Sequence, residues 1–386
     1  MTYIVNANLV LENGILWDAT LAMDEGRITG FGTELAIPQD AAVIDAHGLY
    51  VGPGLVDIHV HGGGSYSTSL QPIEAAEFFL SHGATTILAT PCYVEGFELF
   101  MEEIKTVKAA MGKGGAAKAL GGFYMEGPYM NVNYGSCAWL NPWGKPLDPK
   151  EYEALVDEAG SLAKVWAIAP EREGLEPFLQ YARSVNPNVK FAIGHSEARP
   201  AQIRALKKYG LTIQTHCTNA TGRLPVPGGT RSAGPDEYCL IDPDIYAELI
   251  SDFWGSHVSS DIQRLVLHCK GVDKVVLITD CSSSATSSYS NPPELAHVTD
   301  VNFDARGQLS GSRLTMDQCC RNIMTHTNCG IAQAFLMGAR NPARAIGMED
   351  EIGTIEIGKK ANLIMVDDRF RVNTVILEGE IWRTSK

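Results

Sequence analysis

The chain lacks an excess of basic residues. Against 31 lysines and arginines it sets 45 aspartates and glutamates, a formal charge of −14. A surface of that sign repels phosphate backbones and anionic lipid, so nucleic acid and membrane surfaces are excluded as general partners, while a local basic pocket stays open. It also lacks any CxxC pair, and its nine cysteines are odd in number and irregularly spaced. That argues against a disulfide framework or a cysteine-built zinc site and for reduced thiols in a cytoplasmic protein. No apolar run reaches the roughly 18 residues of a bilayer span, and MTYIVNANLVLENG lacks the basic and then apolar pattern of a signal peptide. Low-complexity tracts are missing too, so folding throughout is expected, as one large domain with an accessory piece over 386 residues.

What is present divides the chain. Residues 1–50 and 350–386 alternate short β-rich runs with Asn-Gly, Glu-Gly and related turns, and the two ends are expected to pair into a small β-sandwich domain. Residues 51–349 carry eight apolar strand candidates separated by helix-like segments: LVDIHVH, TTILAT, GGFYMEGP, KVWAIAPE, KFAIGHS, LTIQTHCTNA, YAELISDFWGSHV and KVVLITD. Eight apolar strands alternating with helices predict an α/β fold, a (β/α)8 TIM barrel whose strands are buried on both faces.

The strand ends matter more than their number. Five runs finish in metal-competent side chains: His59 and His61, Glu126, His195, His216 and Asp280. Alternation puts Asp57, His59 and His61 on one face of the first strand. Ordinary readings stand beside each residue: a hydrogen-bonded core histidine, a turn carboxylate at Glu126, a helix cap at His195 or Asp280. Five such coincidences at equivalent strand ends are harder to sustain than one divalent metal centre at the barrel mouth, where barrel active sites lie. The nitrogen and oxygen donors suit one or two ions, zinc first, with iron, manganese or cobalt also admissible. A metal-bound hydroxide, with Asp280 as acid and base, would hydrolyse an amide or ester. Cys217 is read as a packing thiol, His82, His268 and His326 as helix residues, and Asp244 with Glu248 as a solvated pair at helical spacing.

The ordered motifs VDIHVHGG, MEGPYMN, GHS, THCTNATGR and LITD resemble the amidohydrolase superfamily, and within it the N-acetylglucosamine-6-phosphate deacetylase family. GQLSGSRLTM, NPARAIG and IGTIEIGKKANLIMVDD extend the resemblance over almost the whole chain. It implies a homodimer, a principal metal on Glu126, His195 and His216, and a second metal on His59 and His61 near Asp280. It also implies a small-molecule N-acetylated sugar substrate held by Asn219, Ala220, Arg223 and His257. No lysine ends the fourth strand, where many amidohydrolases have one, and Cys137 stands where the family commonly has a histidine. Two alternatives remain beside the deacetylase expectation: an amidohydrolase for another N-acyl amine, cyclic amide or ester, and a non-catalytic barrel scaffold.

Overall fold

The computed structural model describes residues 1–222, 232–283 and 291–384. The N-terminal strands are β1 (Thr2–Leu11), β2 (Gly14–Asp24), β3 (Arg27–Gly32), β4 (Ala42–Asp45) and β5 (Tyr50–Pro53). The barrel opens with β6 (Leu55–Val60) and then a short hairpin, β7 (Gly62–Gly63) and β8 (Tyr66–Ser67). It continues through β9 (Ala84–Ala89), β10 (Leu120–Tyr129), β11 (Ala163–Ile168), β12 (Lys190–Ile193), β13 (Leu211–Gln214), β14 (Tyr246–Ile250) and β15 (Val275–Ile278). A hairpin of β16 (Val301–Phe303) and β17 (Leu309–Ser312) follows, and β18 (Leu363–Val366), β19 (Val372–Leu377) and β20 (Glu380–Thr384) end the described chain.

The eight central strands run parallel in the order β15-β14-β13-β12-β11-β10-β9-β6. Strands β6, β9 and β15 are buried at every residue, as expected where helices cover one face and the barrel interior the other. The seam between β15 and β6 closes just beyond the strands. Asp280 N–H donates to the His59 carbonyl at 3.0 Å, and His61 N–H donates to the Cys281 carbonyl at 2.8 Å. Deeper in the seam, Thr279 donates its hydroxyl to Asp57 at 2.6 Å, and burial pushes the Asp57 carboxyl up to about 7.

Both ends of the chain meet in one eight-stranded sheet, ordered β20-β19-β18-β5-β1-β2-β3 with β4 paired to β1. The link between the termini is the antiparallel pairing of β5 with β18, Val51 opposite Met365. Period-two alternation then splits the strand: Leu363 and Met365 join Ile4, Leu9 and Leu21 in the sheet's own core, while Ile364 and Val366 face the barrel core. Every β18 side chain is thereby buried, and the strand packs the sheet against the barrel core.

Candidate metal centre and active site

Six side chains converge from the C-terminal ends of five strands or just past them. Glu126, near the end of β10, lies at the centre. Its Oε1 is 3.1 Å from His195 Nε2, 3.3 Å from His216 Nε2 and 3.6 Å from His59 Nε2, and its Oε2 is 3.1 Å from His61 Nε2. Asp280 Oδ1 stands 3.4 Å from His61 Nε2 and 3.8 Å from His59 Nε2. Two donor groups result, His59–His61–Asp280 and Glu126–His195–His216, the atoms of each lying within 4.8 Å of one another.

The backbone is arranged for this convergence. His195, His216 and Asp280 each follow a strand with φ positive, at 43°, 26° and 47°. Residues with a Cβ enter that region at a cost of order 1–3 kcal/mol each, and such strain gathers at functional sites. Glycines serve close approach here. A Cβ on Gly62 would lie 2.4 Å from the Tyr66 carbonyl, and one on Gly135 would lie 2.2 Å from the His195 ring.

All four rings have their tautomer set from outside. The Nδ1 of His61 faces the Thr90 carbonyl at 3.1 Å, that of His195 the Tyr134 carbonyl at 3.1 Å, and that of His216 the Asn219 carbonyl at 3.1 Å. His59 Nδ1 faces Glu248 Oε2 at 3.2 Å. Each acceptor calls for an Nδ1–H, which leaves Nε2 as a lone pair aimed inward. The consequence is a test of fit for a cation. His195 and His216 then oppose two lone pairs 3.2 Å apart, and the buried His59 Nε2 finds no hydrogen-bond partner among the described residues. Tetrahedral metal bonds of ~2.0–2.1 Å would set donor atoms about 3.3 Å apart, matching these spacings, so the residues fit a divalent ion.

Electrostatics agree. Burial alone would lift Glu126, yet the surrounding histidines hold its carboxyl well below the usual range. Burial likewise opposes charge on His59 and His61, but Glu126 and Asp280 drive both rings up to about 10. Without a cation, the carboxylates draw protons onto these rings; a metal takes the same place.

The site opens into a cavity of about 720 Å³. His61, Glu126, His195, His216 and Asp280 lie in its wall, as do Asn219, Ala220, His257 and Cys137. His257 is buried in the loop after β14, with Nδ1 3.3 Å from Asp252 Oδ2 and, among the described residues, no partner for Nε2. The Cys137 backbone N–H donates to Asp304 at 3.0 Å, tying the loop after β10 to the β16–β17 hairpin. Arg223 lies outside the described residues. Cys217 is buried, as a packing thiol should be, and His268 and His326 are on helices. His82 sits one residue past the helix-capping Ser81 and faces Asp317 at 3.7 Å.

One expectation is overturned. Glu248 is no solvated helix residue: it lies on β14, fully buried, and bonds to His59 and to the His216 backbone N–H, whereas Asp244 precedes the strand and is exposed. Helical spacing hid it, because Asp244 at i−4 suggested a shared polar face. The available signal was its place inside an apolar run, YAELI, already read as a strand.

Comparison with known proteins follows the same lines. N-acetylgalactosamine-6-phosphate deacetylase of Escherichia coli O157:H7 is 28% identical, over 99% of this chain and 99% of its own length. N-acetylglucosamine-6-phosphate deacetylase of Bacillus subtilis (strain 168) is 26% identical, over 98% of this chain and 96% of its own. The N-acetyl-D-glucosamine-6-phosphate deacetylase of Mycobacterium smegmatis, solved as a variant in complex with N-acetyl-D-glucosamine-6-phosphate, superposes with a TM-score of 0.81 at 26% identity over 98% of both chains. The model of the Amidohydrolase family matches residues 50–382, which takes in the whole barrel and every donor at its mouth, and the chain belongs to that family.

Proposed function

We propose that this chain is a metal-dependent deacetylase that hydrolyses the N-acetyl group of an amino sugar, with an N-acetylhexosamine 6-phosphate such as N-acetylglucosamine 6-phosphate as substrate. The observation that carries the reading is the pair of donor groups, Glu126–His195–His216 and His59–His61–Asp280, brought together at the wall of one cavity. Relatives matching nearly the full chain are deacetylases of such sugar phosphates.

Glu126, His195 and His216 would hold one divalent ion and His59, His61 and Asp280 a second, zinc being the first choice for this donor set. An ion so placed acidifies water and polarises an amide carbonyl. The rest is done by the chain. Asp280 takes the proton of the attacking water and passes it to the amide nitrogen as the C–N bond breaks, giving acetate and the free amine. Its 3.4 Å approach to His61 orients the carboxylate, and the pull of His59 and His61 keeps it ionised. Asn219, Ala220 and His257 would position the sugar, with a bond from His257 Nε2, which has no partner among the described residues; Arg223 would meet the phosphate, for which a guanidinium is well suited. Cys137, also in the cavity wall, would border the sugar.

Catalysis is assigned to residues 51–349 and support to 1–50 with 350–386. A cytoplasmic homodimer completes the reading. Its nine unpaired thiols support the compartment, and the exposed Phe253 and Trp254, in the same loop as His257, support self-association.

A second reading, hydrolysis of a different N-acyl amine, is favoured by one observation. Among the described residues of the cavity wall, Glu95, Glu103 and Asp304 lie outside the metal centre and no lysine or arginine is present. One assay separates the readings: acetate release from N-acetylhexosamines, their 6-phosphates and other N-acyl amines. Turnover confined to 6-phosphates, lost to a chelator and restored by zinc, is expected. No turnover of any sugar by metal-replete protein would refute the assignment.

A further inference from the structure

Three of the four central histidines rest their Nδ1 on a backbone carbonyl, but His59 rests on a carboxylate. That carboxylate, Glu248, belongs to neither donor group and touches one member of each. Its Oε2 accepts from His59 Nδ1 at 3.2 Å and from the His216 backbone N–H at 3.1 Å. Its Oε1 is buried, and the Tyr124 side chain lies against the carboxylate. On another side the Tyr124 ring stacks on His59, with centroids 4.4 Å apart and planes 25° apart, so the imidazole has no room to turn.

We infer that Glu248 is a positioning residue that sets the occupancy of the His59–His61–Asp280 site, an inference that rests on the metal-dependent reading above. A carboxylate accepting from Nδ1–H enriches Nε2 in electron density more than a carbonyl does, and its negative charge balances a cation through the ring. A fully buried carboxylate is costly to keep unless something nearby uses its charge. The Glu126–His195–His216 group depends on it less. There Glu248 reaches only a backbone N–H, and the His216 ring is already held by the Asn219 carbonyl.

The two sites should therefore respond unequally when that charge is removed. Chelated wild-type and Glu248→Gln proteins are titrated with Co²⁺, followed by visible absorption and calorimetry. Wild type is expected to take up two ions. In Glu248→Gln, one should bind within about threefold of wild type and the other ~10–100-fold more weakly, the range for losing a ligand's outer partner. Equal weakening at both sites, as general damage would give, overturns the inference, and so does unchanged binding at both. A wild type that binds one ion also overturns it while leaving deacetylation standing, because acetate release by wild type is scored separately. Should Glu248→Gln fail to fold, Glu248→Asp, which keeps the charge but shortens its reach, must show the same inequality to a smaller degree; equal effects there are equally fatal.

Discussion

The two halves of the metal centre are built from the same residue types but supported differently. His195 and His216 stand on strained turns past short strands, and loop carbonyls fix their rings. His59 belongs to β6 itself, with His61 immediately beyond, and they rely on a buried carboxylate and on the Thr90 carbonyl of the neighbouring strand end. The histidines of the first half thus depend on loops staying in place. Those of the second are set by the barrel, and His59 depends on charge carried from a strand across the interior.

Removing one ligand from each half tests this contrast most severely. His216→Ala should abolish the ion held with Glu126 and lower kcat/KM by ~10³-fold or more, the several kcal/mol that a Lewis acid supplies. His61→Ala should remove only the other ion and cost less. Metal content with steady-state kinetics decides, and equal losses would erase the distinction. Next in size, Asp280→Asn should lower kcat by at least ~10²-fold while the Glu126-centred ion stays bound. Near-normal turnover would remove Asp280 from its role as acid and base.

A pH experiment separates the metal-free from the loaded centre. His59 and His61, raised to about 10, stabilise the metal-free fold fully below their ordinary 6.5 and lose that contribution as the pH climbs through about 10. The Tm of chelated protein should fall across that window, and the metal-replete protein should show a shallower slope because the ion replaces those protons. Parallel slopes would contradict the electrostatics. The smallest expected effect is Gly135→Ala, which places a methyl against His195 at a φ of 93°. Strain of order 1–3 kcal/mol should lower Tm and weaken the Glu126-centred ion, leaving the other unmoved.

The strand ends were legible because five of the apolar runs stop at metal-competent side chains, and a barrel gives such positions a common destination. The joining of the termini was legible too, as β-patterned runs at both ends with none of the helical spacing between. The three positive φ angles at His195, His216 and Asp280 were not, since no glycine marks them. Glu248 was hidden for a related reason. Its role comes from His59, 189 residues away, and no local pattern encodes a contact across the barrel. The parallel pairing of β1 with β4 and β5 also joins segments with no turn between them to announce it.

The most direct measurement is a crystal structure of zinc-loaded protein with anomalous scattering at the zinc edge. Two peaks are expected, one among Glu126, His195 and His216 and the other among His59, His61 and Asp280, with Glu126 in reach of both. Zinc bound elsewhere, or no peak at the barrel mouth in protein that still releases acetate, would contradict the metal centre and the mechanism built on it.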